Sequence, residues 1–256
     1  MTNDYYQLIL MLAVAAASGL VGVYAMMRKM TLASDAMSHI ALPGLGVALL
    51  LKINPLIGGA IALFLGAIII WAIEKRTMIS TETVIGVMFS ASLAIGSLLT
   101  PEEELIEALF GSAGVVDFNF LVAGLFLSSL VILFILMNKE RLTLALISRE
   151  LATASGVNVS RMNLWFLLIF ALNVILGLQF LGVLLMGSLI IVPAVAARNL
   201  GTSLGNTLFI SFVVALLSVG GGYLLSQNYA IETGPAVIVV ATALFFLSFL
   251  KKAVRM

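Results

Sequence analysis

The chain has 256 residues, 62% of them hydrophobic and 10% charged, with a mean hydropathy of +1.21 and a net charge of +1. Soluble domains carry roughly 25% charged residues, so this composition excludes a water-solvated surface and fits a lipid-solvated one. The absence of cysteine excludes disulfides, thiolate metal sites and thiol nucleophiles, and the near-zero charge gives no basis for nucleic-acid binding.

In a bilayer every backbone polar group must be paired within the protein, which leaves helices or closed barrels. The apolar runs here do not alternate, so they read as helices and the fold class as all-α, a polytopic transmembrane bundle forming a single domain over 1–256. In chain order the predicted spans are Tyr6–Met27, Ser34–Leu51, Pro55–Ile73, Val84–Leu99, Phe118–Asn138, Leu164–Phe180, Leu181–Ala197, Asn206–Ser226 and Pro235–Leu250. Leu8 to Met27 has no positive segment before it and is followed at once by further spans, so it reads as a retained helix rather than a cleaved signal. The sixth and seventh spans share a short stretch around Gln179, so eight spans is the alternative count.

The positive-inside rule orients the chain. With the N-terminus outside and the C-terminus in the cytoplasm, twelve of the thirteen basic residues fall inside, and only Lys52 falls outside. Two loops stand out. The outer one, about 100–117, carries Glu102, Glu103, Glu104, Glu107 and Asp117 without a base, and Leu105, Ile106, Leu109 and Phe110 recur at helical spacing. That spacing suits a short helix lying on the interface, and the loop reads as a cation-attracting vestibule, as a docking surface for an outer partner, or as a solvated loop. The inner one, about 139–163, sets Leu142, Leu146, Leu151 and Val157 among charges, with Gly156 placed to end a short helix. It reads as a contact for a soluble partner or as a plain connector.

Charges inside the membrane are costly, which makes them functional candidates. Of the twelve acids only Asp35 lies within a span, and the single histidine, His39, follows four residues later. That spacing puts both on one helical face, a turn apart. Carboxylate with imidazole suits a divalent first-row metal. One such pair supplies two ligands, short of the four that zinc takes, so a second chain, water or backbone oxygen must complete the shell. The bland alternative is that Ser34 and Asp35 cap the helix while His39 bonds a neighbour. Pro43 lacks an N–H and crowds the carbonyl four residues back, which is that of His39. With Gly44 and Gly46 it predicts a break beside the two ligands, a usual way of building a site in a membrane. A second helix-breaking proline, Pro193, lies in the run Gly182 to Arg198, where Gly187, Ser188, Ala194 and Ala197 permit close helix approach, as core packing or as a pore lining or subunit interface. No G-x-x-x-x-G-K-[ST], H-E-x-x-H or G-x-S-x-G sequence occurs, so P-loop nucleotide hydrolysis and intramembrane hydrolase chemistry have no visible basis in the chain.

The run Ser34-Asp-Ala-Met-Ser-His39-Ile-Ala-Leu-Pro43-Gly44 resembles the "SDALSHAVLPG" signature of the metal-specific permeases of ATP-binding-cassette importers. Gly182 to Arg198 is similar to that family's "GxLLVxALLIIPAATAR" segment, Leu109 to Ser112 to its "LFGS" loop, and Leu151 to Val159 to its cytoplasmic "A-x-x-x-G-x-x" loop. Ile40 stands where alanine is usual, and Asn199 follows the Ala-Ala-Arg end. The resemblance implies a type II importer permease in the bacterial inner membrane. It implies that Asp35 and His39 meet a transported Zn2+, Mn2+ or Fe2+, with no permanently bound cofactor. The implied partners are a second copy of the chain, two ATPase subunits at the loop around Arg149 to Val157, and an extracytoplasmic metal-binding receptor. The competing function is an ATPase-independent secondary carrier or channel for the same metals.

Overall fold

The computed structural model describes residues 2–77, 79–100 and 116–253. Ten helices account for nearly all of them: α1 (Thr2–Met27), α2 (Thr31–His39), α3 (Leu42–Leu50), α4 (Pro55–Thr77), α5 (Thr81–Leu99), α6 (Phe118–Ile147), α7 (Arg149–Ala154), α8 (Val159–Leu200), α9 (Leu204–Tyr229) and α10 (Thr233–Ala253). Among the described residues six helical stretches are long and apolar enough to cross a membrane: Asp4–Met27, Pro55–Thr77, Thr81–Leu99, Phe118–Ile147, Val159–Val183 and Leu204–Tyr229. Three shorter apolar stretches, Ser34–Leu50, Leu185–Leu200 and Thr233–Phe249, complete the set. The acidic outer loop, including its proposed interfacial helix and the Leu109 to Ser112 motif, lies outside the described residues except at its ends. There Asp117 proves to be a helix cap, its carboxylate accepting from the Phe120 N–H at 3.0 Å.

The bundle is organised around α1, which touches α6, α8 and α9. Small residues let it do so. A methyl on Gly19 would stand 2.8 Å from the Ser211 carbonyl oxygen of α9, and one on Gly22 would stand 1.9 Å from that of Ile190 in α8. Polar groups pair across these seams: the Ser211 hydroxyl donates to the Gly19 carbonyl at 2.6 Å, and Asn173 donates to Ser18 at 3.0 Å. Without a hydrophobic force between helices in lipid, close packing and such bonds are what hold them. The outward faces of α4, α5 and α6 stay apolar and exposed, as at Ile57, Leu93 and Phe126.

Three details differ from what the sequence predicts. First, α6 does not stop near Asn138 but runs on to Ile147, carrying the first third of the inner loop as helix. Only α7 and its flanks remain, capped by Ser148 at 3.2 Å and closed by Gly156 at φ +78° as the glycine position suggests. Secondly, the break between the sixth and seventh spans falls at Gly182 (φ 69°, ψ 176°), a region essentially reserved for glycine, rather than before Leu181. A methyl on Gly177 would lie 2.1 Å from Met186 Sδ. Nine residues of straight helix span roughly 13.5 Å, so the two arms fold back on each other. Thirdly, Pro193 lies inside the second arm, and the non-helical torsions fall at Gly182 instead.

Candidate functional site

The helix that carries Asp35 and His39 is short and polar for its surroundings. It starts at Thr31 behind Met30, which offers no side-chain cap. Ser34 is a full turn inside and bonds back to the Met30 carbonyl through both its N–H (2.9 Å) and its hydroxyl (3.0 Å). Ser34 and Asp35 are therefore not the helix cap that the bland alternative required. After His39 the backbone keeps helical torsions but its bonds tighten: Ile40 N–H reaches Met37 and Ala41 N–H reaches Ser38. Pro43 then opens α3 in its first turn, where its missing N–H is tolerated. Its place removes the bond that the His39 carbonyl would accept, so the predicted break is present beside Asp35 and His39.

Two neighbouring helices hold this segment. From α8, Gly187 faces Asp35 so closely that a methyl there would lie 2.5 Å from Asp35 Cα and 2.9 Å from Oδ1. Ser38 Oγ sits 2.7 Å from both the Asp35 and the Val183 carbonyl oxygens, tying α2 to the start of the second arm of α8. From α5, the Phe89 ring meets the His39 ring edge-on, with centroids 5.1 Å apart. His39 is 6% exposed and its Nδ1 is buried without a hydrogen-bond partner among the described residues, whereas Asp35 is half-buried. A buried ring nitrogen with no partner and a carboxylate open on one side form an incomplete ligand set that can accept a cation. Among the described residues no third histidine, cysteine or carboxylate joins them, so the pair remains half a coordination shell.

Gly187 stands out in the sequence only as a small residue, and Phe89 gives no signal at all. A second polar cluster is equally silent there. At the end of α1, Arg28 donates to the Asn163 side-chain oxygen, and the Asn163 amide donates to Glu74. Thr81 donates to the same carboxylate at 2.8 Å, and the guanidinium lies 4.2 Å over the Phe166 ring. Burial pulls the Arg28 guanidinium down to about 10, with Glu74 pulling it back up, so it stays cationic at neutral pH. The cluster joins α1, α4, α5 and α8 and lines a cavity of about 260 Å³ that Arg149 of α7 also borders.

An all-helical bundle with apolar outer faces, broken helices at its centre and one carboxylate–imidazole pair on a broken helix defines a membrane transport subunit. Its sequence falls in the same class: residues 5–252 match the ABC 3 transport family, and the chain belongs to it. It is 29% identical over 241 residues to the high-affinity zinc uptake system membrane protein ZnuB of Haemophilus influenzae, covering 90% of each chain. It is 28% identical over 247 residues to the manganese transport system membrane protein MntC of Listeria innocua, covering 95% of this chain and 88% of the relative. Among solved structures it resembles PsaBC from Streptococcus pneumoniae in complex with Fab, with a TM-score of 0.82 and 26% identity over 97% of this chain and 90% of the other.

Proposed function

We propose that this chain is the membrane permease of an ATP-binding-cassette importer that brings a divalent transition metal, Zn2+, Mn2+ or Fe2+, across the bacterial inner membrane. The observation that carries this reading is the half-shell on α2: Asp35, and His39 with its Nδ1 buried and without a hydrogen-bond partner among the described residues, on a helix broken at Pro43. Family membership and relatives named for zinc and manganese supply the class of cargo. A two-ligand site is best completed by a second copy of the chain, giving two carboxylates and two imidazoles around one path. The six long and three short apolar stretches then make nine crossings, with the N-terminus outside. ATP hydrolysis belongs to separate subunits docking at α7, and an extracytoplasmic receptor delivers the ion to the outer mouth. Weak, exchangeable coordination suits this role, because the ion must leave as readily as it enters.

Reconstitution with the cognate ATPase in proteoliposomes tests the proposal. Wild type takes up metal only with ATP, while Asp35→Asn assembles equally and takes up none. Uptake by the Asp35→Asn variant overturns the site, and gradient-driven uptake without an ATPase overturns the importer.

A further inference from the structure

In the orientation proposed above, on which this inference rests, the inner end of the bundle holds a second cavity, of about 560 Å³, that the metal path does not use. It lies where the end of α1 meets the end of α6 and the corner between α8 and α9. Its wall has two chemistries. On one side are Met26, Met27, Leu146 and Leu204; on the other are Lys29, Arg198, Thr202 and Ser203, and no acid is among its lining residues. Both basic side chains are exposed, and among the described residues neither is in an ion pair. Ser203 caps α9, its hydroxyl accepting from the Asn206 N–H at 3.3 Å, so the amide end of a long helix opens on the same corner.

The turn that brings Lys29 to this corner has an unusual backbone, shared with Lys52 and Ala230 elsewhere in the chain. The Lys29 N–H bonds the Met26 carbonyl at 3.0 Å and the Met30 N–H bonds that of Ala25 at 2.9 Å, which is the Schellman closure of a helix. The residue in that left-handed place is normally glycine, yet here a lysine holds φ 59°. A lysine therefore borders the cavity where glycine would close the turn more cheaply, and it also borders the neighbouring cavity that Glu74 and Glu82 line.

Two cations and a helix N-terminus beside an apolar wall, at the cytoplasmic-leaflet end of the bundle, are complementary to a phosphodiester that carries acyl chains. Basic pockets between helices on this side of a membrane bind anionic head groups. We propose that this cavity is a binding site for an anionic phospholipid, its phosphate held by Lys29, Arg198 and the amide end of α9 and its chains lying on Met26, Met27 and Leu204.

The test is thermal unfolding and native mass spectrometry of the full chain in neutral detergent. The additives are phosphatidylglycerol, phosphatidylcholine with the same acyl chains, and inorganic phosphate. Phosphatidylglycerol should raise the unfolding temperature by several degrees and remain bound at one per chain, and the other two should do neither. The double variant Lys29→Gly, Arg198→Gln removes both cations while relieving the strained turn, so it should fold with unchanged circular dichroism and lose the shift. Lys52→Gly is the control, since Lys52 closes α3 with the same left-handed torsion (φ 55°) away from the cavity; it should keep the shift. Equal effects of the two lipids, reproduction of the shift by phosphate alone, or a shift that survives the double variant overturns the proposal. So does loss of the shift in Lys52→Gly, which marks diffuse charge attraction.

Discussion

Gly187 and Asp35 touch so closely that no side chain fits between them: a methyl on Gly187 would sit 2.5 Å from Asp35 Cα and 2.9 Å from its Oδ1. The second arm of α8 is thus the wall against which the Asp35 carboxylate is set. Gly187→Ala must push α2 outward or turn Asp35 away. Overpacking of this kind costs about 1–3 kcal/mol, and misplacing a reacting group by 1 Å costs on the order of a hundredfold in rate. Metal uptake by Gly187→Ala should therefore fall at least about tenfold while the complex with its ATPase still assembles. Uptake at the wild-type rate would show that Asp35 is not held by this contact.

Gly182 supplies the bend that brings Gly187 to Asp35. Its torsions of 69° and 176° are open to glycine alone. Gly182→Ala should lose about 1–3 kcal/mol of stability, the usual cost of a sparsely allowed backbone state. Gly205, in the first turn of α9, meets nothing within 4 Å of an added methyl. Gly205→Ala should be neutral or stabilising by up to about 1 kcal/mol, as for glycine inside a helix. Unfolding temperatures in detergent, read side by side, separate the two; an equal loss in both would mean that the bend is not what strains the alanine.

How much of the fold and site is legible in the sequence depends on what each residue signals alone. Asp35 and His39 are visible because a charge and an imidazole inside apolar sequence have no cheap explanation. Pro43 and the break it causes follow from ring geometry, and Gly156 from its place after a short amphipathic run. Gly182 does not announce itself as the hinge, since a glycine in an apolar run serves packing as readily as bending, and Pro193 nearby is the more obvious breaker. The end of α6 is hidden because Lys139 and Arg141 mark the membrane boundary, not the end of the helix. Phe89 and the partners of Arg28 become visible only in three dimensions: contacts between α2 and α5, or between α1 and α8, leave no periodic trace in a single sequence.

The Arg28 cluster gives a third prediction. Glu74 is the acid that offsets a buried guanidinium, through Asn163 and with help from Thr81. Glu74→Gln removes that charge and leaves Arg28 buried beside neutral partners. Leaving a buried charged group short of its partner costs about 1–3 kcal/mol or more, so the variant should unfold several degrees earlier. The double variant Arg28→Met, Glu74→Gln removes both charges and should recover part of the loss. A double-mutant cycle with no coupling would mean that the two groups do not act together.

Pro43 separates stability from transport. Its ring denies the His39 carbonyl a backbone bond and keeps α2 and α3 apart as two short helices. Alanine there restores an N–H aimed at that carbonyl and lets one helix run through the site. A backbone bond of this kind contributes about 0.5–1.5 kcal/mol, so Pro43→Ala should unfold at the same temperature as wild type or a few degrees higher. The restored helix turns the His39 ring relative to Phe89 and closes off the carbonyl beside it, so metal uptake should drop several-fold in spite of the firmer fold. That combination is the signature of a site that gives up stability to stay open. If Pro43→Ala instead loses stability and keeps full uptake, the break serves packing against α4 and α5, and the ion passes without using it.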